Sequence, residues 1–206
     1  MTRIGLIGGS FDPFHNGHRQ LVEAVLESQL VDRVILMVAG QQPHKTRIKV
    51  SAAGYRYEMA LRGVADLASV EVSDLEINRS GRSFTIDTVT TLQKTLQISD
   101  ELVLIYGSDV LFDLPSWRSP DQILARCRLL IAIRGGIDRQ VADRQADWLR
   151  ETYHARIDFL DAQMPELSAT QVRETIVAGG NHDDLVPERV AALINKHDIY
   201  GYDDEL

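Results

Sequence analysis

Along the chain, short apolar runs alternate with longer stretches whose apolar positions recur every three or four residues. RIGLIGG (3–9) is a run of strand type, and HRQLVEAVLESQL (18–30) sets Leu21, Val22, Val25, Leu26 and Leu30 on one helical stripe. RVILMVA (33–39) predicts the next strand, GQQPHKTRIKVS (40–51) a polar loop and AAGYRYEMALRGVAD (52–66) a helix. SVEVSDLEI (69–77) alternates in strand fashion, and SFTIDTVTTLQKTL (83–96) returns to helical spacing. ELVLIYG (101–107) and CRLLIAIR (127–134) are almost continuously apolar, as strands buried on both faces are. Near the end, a helix opens at Ser168 and runs to Ala178, and a last one is opened by Pro187 and followed by a short acidic tail.

Strand–helix alternation of this kind predicts an α/β fold, a doubly wound parallel sheet with helices on both faces joined by right-handed crossovers. In such sheets ligands bind beyond the carboxyl ends of the strands, so the loops after 4–8, 33–39, 101–107 and 127–134 should share one mouth. With 206 residues, 44% of them hydrophobic and 25% charged, the chain suits one domain over 1–206 with a small C-terminal helical part over about 168–206.

Thirty acidic against 22 basic residues give a net charge of −8, which argues against a broadly basic, nucleic-acid-binding surface. Cys127 is the only cysteine, which excludes an internal disulfide and fits a reducing compartment; its place at the entry to an apolar run reads as a small buried residue. The N-terminus has no signal-peptide pattern and no apolar run approaches the ~18 residues of a membrane span, so the expected setting is soluble and cytoplasmic, with no membrane partner. A homo-oligomer is neither required nor excluded by the sequence.

The stretch with candidate chemistry is GGSFDPFHNGH (8–18), where the first strand hands over to the first helix. Unpaired N–H groups and the dipole make a helix N-terminus attractive to anions. Gly8 and Gly9 let the backbone turn and a ligand approach, and His15 and His18, three apart, can face the same way and donate to phosphate oxygens. The stretch is not a dinucleotide-binding G-x-G-x-x-G, nor a P-loop with Gly-Lys-Ser/Thr. A zinc pair lacks nearby ligands to complete it, and a purely structural histidine pair remains an alternative.

GGSFDPFHNGH resembles the H-x-G-H signature of the nucleotidylyltransferase superfamily, which implies a Rossmann-like sheet and transfer of a nucleotidyl group to an anionic acceptor. LSATQVRE (167–174) is similar to the superfamily's I-S-x-T-x-x-R element; Ser168 and Gln171 are also spaced as a capping box. QQPHK (41–45), DLEINRSGRSFTIDTV (74–89), IYGSDVLFDLPSWRSPDQIL (105–124) and LIAIRGG (130–136) resemble elements of one branch, the nicotinate mononucleotide adenylyltransferases, with Gln42 in a proline place and Phe84 in a tyrosine place.

The resemblance implies ATP and nicotinic acid mononucleotide as substrates and Mg²⁺ carried with ATP on few protein ligands. It implies His18 at the α-phosphate, His15 on phosphates nearby, and Lys45 and Arg173 with Ser168 and Thr170 at the leaving pyrophosphate. Gly8, Gly9, Ser10, Phe11, Gly107 and Arg134 fall on the ATP side. Asp109 falls on ribose hydroxyls, Trp117 against the pyridine ring, and backbone N–H groups near Thr85 and Trp117 on its carboxylate. His154, His182 and His197 match no motif and are expected at the surface, Trp148 is expected to pack, and loop 40–51 and the Trp117 loop are expected to close on substrate.

Overall fold

The computed structural model describes residues 1–40, 50–133, 136–162 and 165–201. Six parallel strands, β1 (Arg3–Gly9), β2 (Arg33–Val38), β3 (Val70–Ser73), β4 (Glu101–Gly107), β5 (Arg128–Ala132) and β6 (Arg156–Leu160), form one sheet in the order β3-β2-β1-β4-β5-β6. β1 pairs with β2 from Ile4↔Arg33 to Gly9↔Val38 and with β4 from Arg3↔Glu101 to Leu6↔Leu104. Strand order reverses between β1 and β4, which is where an open sheet of this type leaves a crevice for ligand.

The strands bury both faces, and their side chains divide with period two. Val34, Leu36 and Val38 of β2, with Val103 and Ile105 of β4, join a core built with α1 (Asn16–Glu27), α2 (Ala53–Gly63) and α8 (Glu188–His197) through Val22, Val25, Met59, Val190 and Ile194. Ile35 and Met37, with Leu102 and Leu104, face the opposite core. It is built with α3 (Thr85–Thr95), α4 (Val110–Asp113), α5 (Pro120–Arg126) and α6 (Arg139–Tyr153) through Ile86, Leu111, Ile123 and Leu149. Each of these fully buried aliphatic side chains contributes about 1.5–3 kcal/mol of transfer free energy. α7 (Ala169–Val177) sends Val172 into the first core, and the loop before α8 sends Val186 there.

Three sequence expectations change. The strand predicted over 69–77 stops at Ser73, because Asp74–Asn78 closes a turn in which the Asn78 N–H donates to the Asp74 carbonyl at 3.0 Å. His182 is not a plain surface residue: its Nε2 is buried. Trp148 meets Tyr153 in a T-shaped contact at 5.9 Å between ring centroids and remains 43% exposed on α6. Cys127 is fully buried as expected, and burial pushes its thiol up to about 12. None of the helices among the described residues is long and apolar enough to cross a membrane.

Candidate active site

β1 ends at Gly9, and Ser10–Phe14 turns the chain into α1. Phe11 has φ of 50°, a conformation that costs a non-glycine residue roughly 1–2 kcal/mol, and its fully buried ring holds it there. That ring meets His18 edge-on at 5.0 Å, and a Cβ on Gly9 would come within 2.9 Å of it. Glycine is therefore required at position 9 by close packing. Phe11 itself is placed in the core, so any part in ligand binding falls to its backbone.

His15 stands at the N-cap of α1 and His18 at the third helical position. Their rings stack at 3.7 Å between centroids, 24° apart, and the His15 N–H donates to His18 Nδ1 at 3.2 Å. This hydrogen bond assigns the His18 ring proton to Nε2, making that nitrogen a donor. The pair thus forms a capping box from imidazoles instead of the usual Ser/Thr and Glu/Gln. His15 is 4% exposed, whereas His18 is half-buried at the surface of the turn.

Asp12, 2% exposed, ties this turn to three distant segments. The Tyr200 hydroxyl donates to its Oδ1 at 2.6 Å, the Ser51 N–H to its Oδ2 at 3.1 Å, and Arg173 Nη1 to its carbonyl at 2.6 Å. Burial and the neighbouring Asp12 charge push the Tyr200 phenol far above its usual range, so it serves as a neutral donor. The buried Arg56 fixes the same region through Nη1 to the Ala39 and Ser10 carbonyls at 2.7 and 3.0 Å, and through Nε to the Ser51 carbonyl at 3.0 Å.

The two motifs separated by most of the chain are therefore in contact. Ser168 caps α7, with its Oγ accepting from the Gln171 N–H at 3.2 Å and Gln171 Oε1 accepting from the Ser168 N–H at 2.8 Å. Arg173 also donates to Thr170 Oγ1 at 3.1 Å, so Ser168, Thr170 and Arg173 cluster at one helix N-terminus beside the β1–α1 turn. Asn16 joins the C-terminal part as well, donating to the Asp184 and Leu185 carbonyls at 2.9 Å each.

On the other side of Gly8 and Gly9 lies a cavity of about 540 Å³ at the carboxyl ends of β1, β2 and β4, within the range of small-molecule sites. Met37, Ala39, Glu76, Phe84, Thr85, Thr88, Tyr106 and Trp117 are in its wall. Trp117 ends a short 3-10 turn, Leu114–Ser116, and meets Tyr106 edge-on at 5.4 Å. Burial raises the Tyr106 phenol well above its usual value, opposed by a hydrogen bond with Thr85. Thr88 donates to Glu76 Oε1 at 2.6 Å and accepts from Arg79 Nη1 at 3.0 Å. The N-terminus of α3 opens on this wall at Phe84 and Thr85, and no side chain caps it.

Of the residues singled out in the sequence, Gly8, Gly9, Thr85 and Trp117 meet at the cavity, while His15, His18, Arg173, Thr170 and Ser168 gather around the β1–α1 turn. Gly107 ends β4 opposite Ala132, and Asp109, exposed before α4, is outside the wall of the cavity. Lys45 and Arg134 lie outside the described residues. Asp12, Arg56, Tyr106, Thr88 and Tyr200 were not assigned roles from the sequence. Arg56 and Tyr106, inside a helical and a strand pattern, carry no local signature, and Tyr200 follows α8 in a turn whose partner only the fold reveals.

The Cytidylyltransferase-like family profile matches residues 6–175. A probable nicotinate-nucleotide adenylyltransferase of Thermoanaerobacter sp. is 34% identical over 203 residues, covering 98% of this chain and 96% of that relative. The chain belongs to the nicotinate-nucleotide adenylyltransferase family. Another member, from Clostridium botulinum, is also 34% identical, over 97% of this chain and 98% of its own length. The fold is shared with Plasmodium falciparum nicotinic acid mononucleotide adenylyltransferase complexed with NaAD, at a TM-score of 0.78 and 18% identity, covering 97% of this chain and 98% of that one. The family's Rossmann-like sheet is thus the one described above, with the histidine turn and the cavity at its switch point.

Proposed function

We propose that the protein transfers AMP from ATP to nicotinic acid mononucleotide, releasing pyrophosphate and forming deamido-NAD for NAD biosynthesis, in the cytoplasm. The observation that carries this reading is the joining of the histidine turn to the α7 N-terminus through Arg173 and Asp12, next to a cavity walled by Trp117 and Thr85. One side is rich in donors for phosphate, and the other offers an aromatic face with helix N–H groups. The family's named relatives support the same substrates.

In the proposed reaction an oxygen of the acceptor phosphate attacks the α-phosphorus of ATP. The bond from the α-phosphorus to the bridging oxygen breaks, and its electron pair leaves with pyrophosphate. The acceptor is already an anion near neutral pH, so no general base is needed. The obstacle is repulsion between anions, which positioning and fixed donors lower.

His18 Nε2–H donates to the α-phosphate as charge builds, and its tautomer is held by the His15 N–H. His15 supports it by stacking and holds phosphates nearby. Arg173, Thr170 and Ser168, with Lys45, receive the leaving pyrophosphate, and Arg134 neutralises charge beside it. Gly8, Gly9 and the backbone of Ser10 and Phe11 line the nucleotide's path with Gly107, and Asp109 takes ribose hydroxyls. Trp117 stacks on the pyridine ring, and N–H groups at Thr85 and Trp117 meet its carboxylate.

Among the described residues no three His, Cys, Asp or Glu side chains gather as a metal site. Both carboxylate oxygens of Asp12 are already engaged by Tyr200 and Ser51. With Asp12 engaged, Mg²⁺ would be carried on the nucleotide phosphates, with the His and Arg donors placed to bind the same phosphates. Bound in that way, Mg²⁺ supplies charge neutralisation on the phosphate oxygens.

The test is pyrophosphate release from ATP and Mg²⁺ with three acceptors side by side: nicotinic acid mononucleotide, nicotinamide mononucleotide and phosphopantetheine. A large kcat/KM advantage for the first is expected. Activity with phosphopantetheine alone would assign the wrong acceptor, and no activity with any would overturn the reading.

A further inference from the structure

Arg118 follows Trp117 directly and lines the cavity beside Phe84 and Thr85. Its guanidinium carbon lies 4.8 Å from the centroid of the Phe84 ring, and its Nη1 is 3.9 Å from Asp87 Oδ2. The Arg118 side chain is 59% exposed and that of Asp87 44%, so this pair is at the outer limit of contact and well hydrated. Such pairs are among the weakest in proteins and are readily exchanged for a closer partner. The flat Phe84 ring gives the planar guanidinium a surface to rest on without fixing it by hydrogen bonds.

Around this cation the wall holds backbone donors, and its one lining carboxylate, Glu76, already accepts from Thr88 at 2.6 Å. The uncapped N-terminus of α3 opens there at Phe84 and Thr85, and its N–H groups and dipole favour negative charge. Asp87, in the first turn of the same helix, works against that preference unless a cation screens it. Arg118 lines the same wall, 3.9 Å from Asp87 and next to Trp117. A flat heterocycle against Trp117 would bring a ring substituent within reach of both the α3 N-terminus and the guanidinium.

We propose that Arg118 is a specificity-determining residue that moves from Asp87 to the ring carboxylate of the pyridine mononucleotide, favouring the acid over the amide. This rests on the acceptor proposed above. With the acid, the guanidinium exchanges a long, hydrated contact for a charge-assisted pair beside the helix terminus. With the amide, there is no anion to leave Asp87 for. Phe84 supplies the resting face with no hydroxyl needing a partner.

The experiment uses Arg118→Gln and Arg118→Lys in the full chain. Calorimetry measures binding of nicotinic acid and nicotinamide mononucleotides without ATP, and initial rates give kcat/KM for both. Arg118→Gln should weaken the acid by ~10-fold, about 1.4 kcal/mol, while the amide changes less than about twofold; Arg118→Lys should keep part of the preference. An unchanged acid-to-amide ratio would leave selection to the backbone alone and overturn the proposal. Equal weakening of both ligands would make Arg118 a support for the Trp117 turn and would also overturn it. Preferential acid binding that depends on Arg118, without turnover by the wild type, would sustain this proposal and refute the adenylyl-transfer reading. Turnover of the acid with a ratio indifferent to Arg118 would do the reverse.

Discussion

Gly17→Ala separates the histidine geometry from fold stability. Gly17 lies between the two histidines at the second position of α1, and it is not among the positive-φ glycines. Alanine therefore fits the backbone and should stabilise by about 0.4–1 kcal/mol through the unfolded chain. The new Cβ would approach His15 Cε1 and Nδ1 to 3.1 Å, against ordinary contact from 3.4 Å outward, with Pro165 Cγ at 3.5 Å behind it. The His15 ring must move by a few tenths of an ångström, and displacing it from its rotamer costs roughly 0.5–1.5 kcal/mol. The two effects nearly cancel, leaving Tm within about 4 °C of the wild type for a chain of this size.

Activity should not cancel. A misplacement of 1 Å can cost about a hundredfold, so a shift of about 0.3–0.5 Å in a stacked pair should lower kcat by roughly four- to tenfold. Steady-state kinetics beside a thermal melt reads both quantities. An unchanged kcat at unchanged Tm would mean that the 3.7 Å stacking does not matter to the reaction. A collapse of Tm would mean that the His15 ring cannot yield.

His18→Ala should lower kcat by ~10²-fold or more, the scale of losing one donor to a developing oxyanion; a change confined to substrate affinity in steady-state kinetics would make His18 a binding residue only. Trp117→Ala should raise KM for the mononucleotide more than for ATP, and equal changes in both would remove the stacking role. Tyr200→Phe deletes the 2.6 Å donor to a buried carboxylate and should cost about 1.5–3 kcal/mol in chemical unfolding; no loss would mean that water replaces the phenol at Asp12. Asp32 and Asp66, paired with Arg3 and Arg19, are lowered from the usual 3.8 to about 2, first by side-chain hydrogen bonds from those arginines. Their stabilisation is present above pH ~4 and is lost as pH falls through about 2, so Asp32→Asn with Asp66→Asn should lower Tm at pH 7, and the gap should narrow steadily as pH falls through 2. A Tm gap as wide at pH 2 as at pH 7 would contradict the ionic origin.

The sheet could be read from the sequence because its central strands are apolar on both faces, and ELVLIYG and CRLLIAIR appear as β4 and β5 within a few residues of the expected bounds. β6 was missed because Arg156 and Asp158 interrupt its apolar pattern on an edge strand paired only with β5 among the described residues. The sequence around Trp117 shows a motif and predicts a loop. It folds as α4, a 3-10 turn and α5, each too short to show a period and broken by Pro115 and Pro120. The first helix begins at Asn16, two residues before the expected start at His18, because the histidines themselves cap it.

The candidate site is visible in the sequence as local motifs, but its assembly is not. His15 with His18 and Ser168 with Gln171 are neighbours in sequence, and their spacing predicts their contacts. Asp12 meets partners at 51, 173 and 200, and Arg118 meets Phe84 and Asp87; tertiary packing creates those contacts.

The most direct measurement follows isotope into product. Nicotinic acid mononucleotide labelled with ¹⁸O on all phosphate oxygens would be incubated with ATP, Mg²⁺ and the protein, and the products read by ³¹P NMR. Attack at the α-phosphorus predicts deamido-NAD carrying the label on its mononucleotide phosphorus, including the bridging oxygen, with unlabelled pyrophosphate. Label in pyrophosphate, or AMP formed without the dinucleotide, would contradict adenylyl transfer to this acceptor.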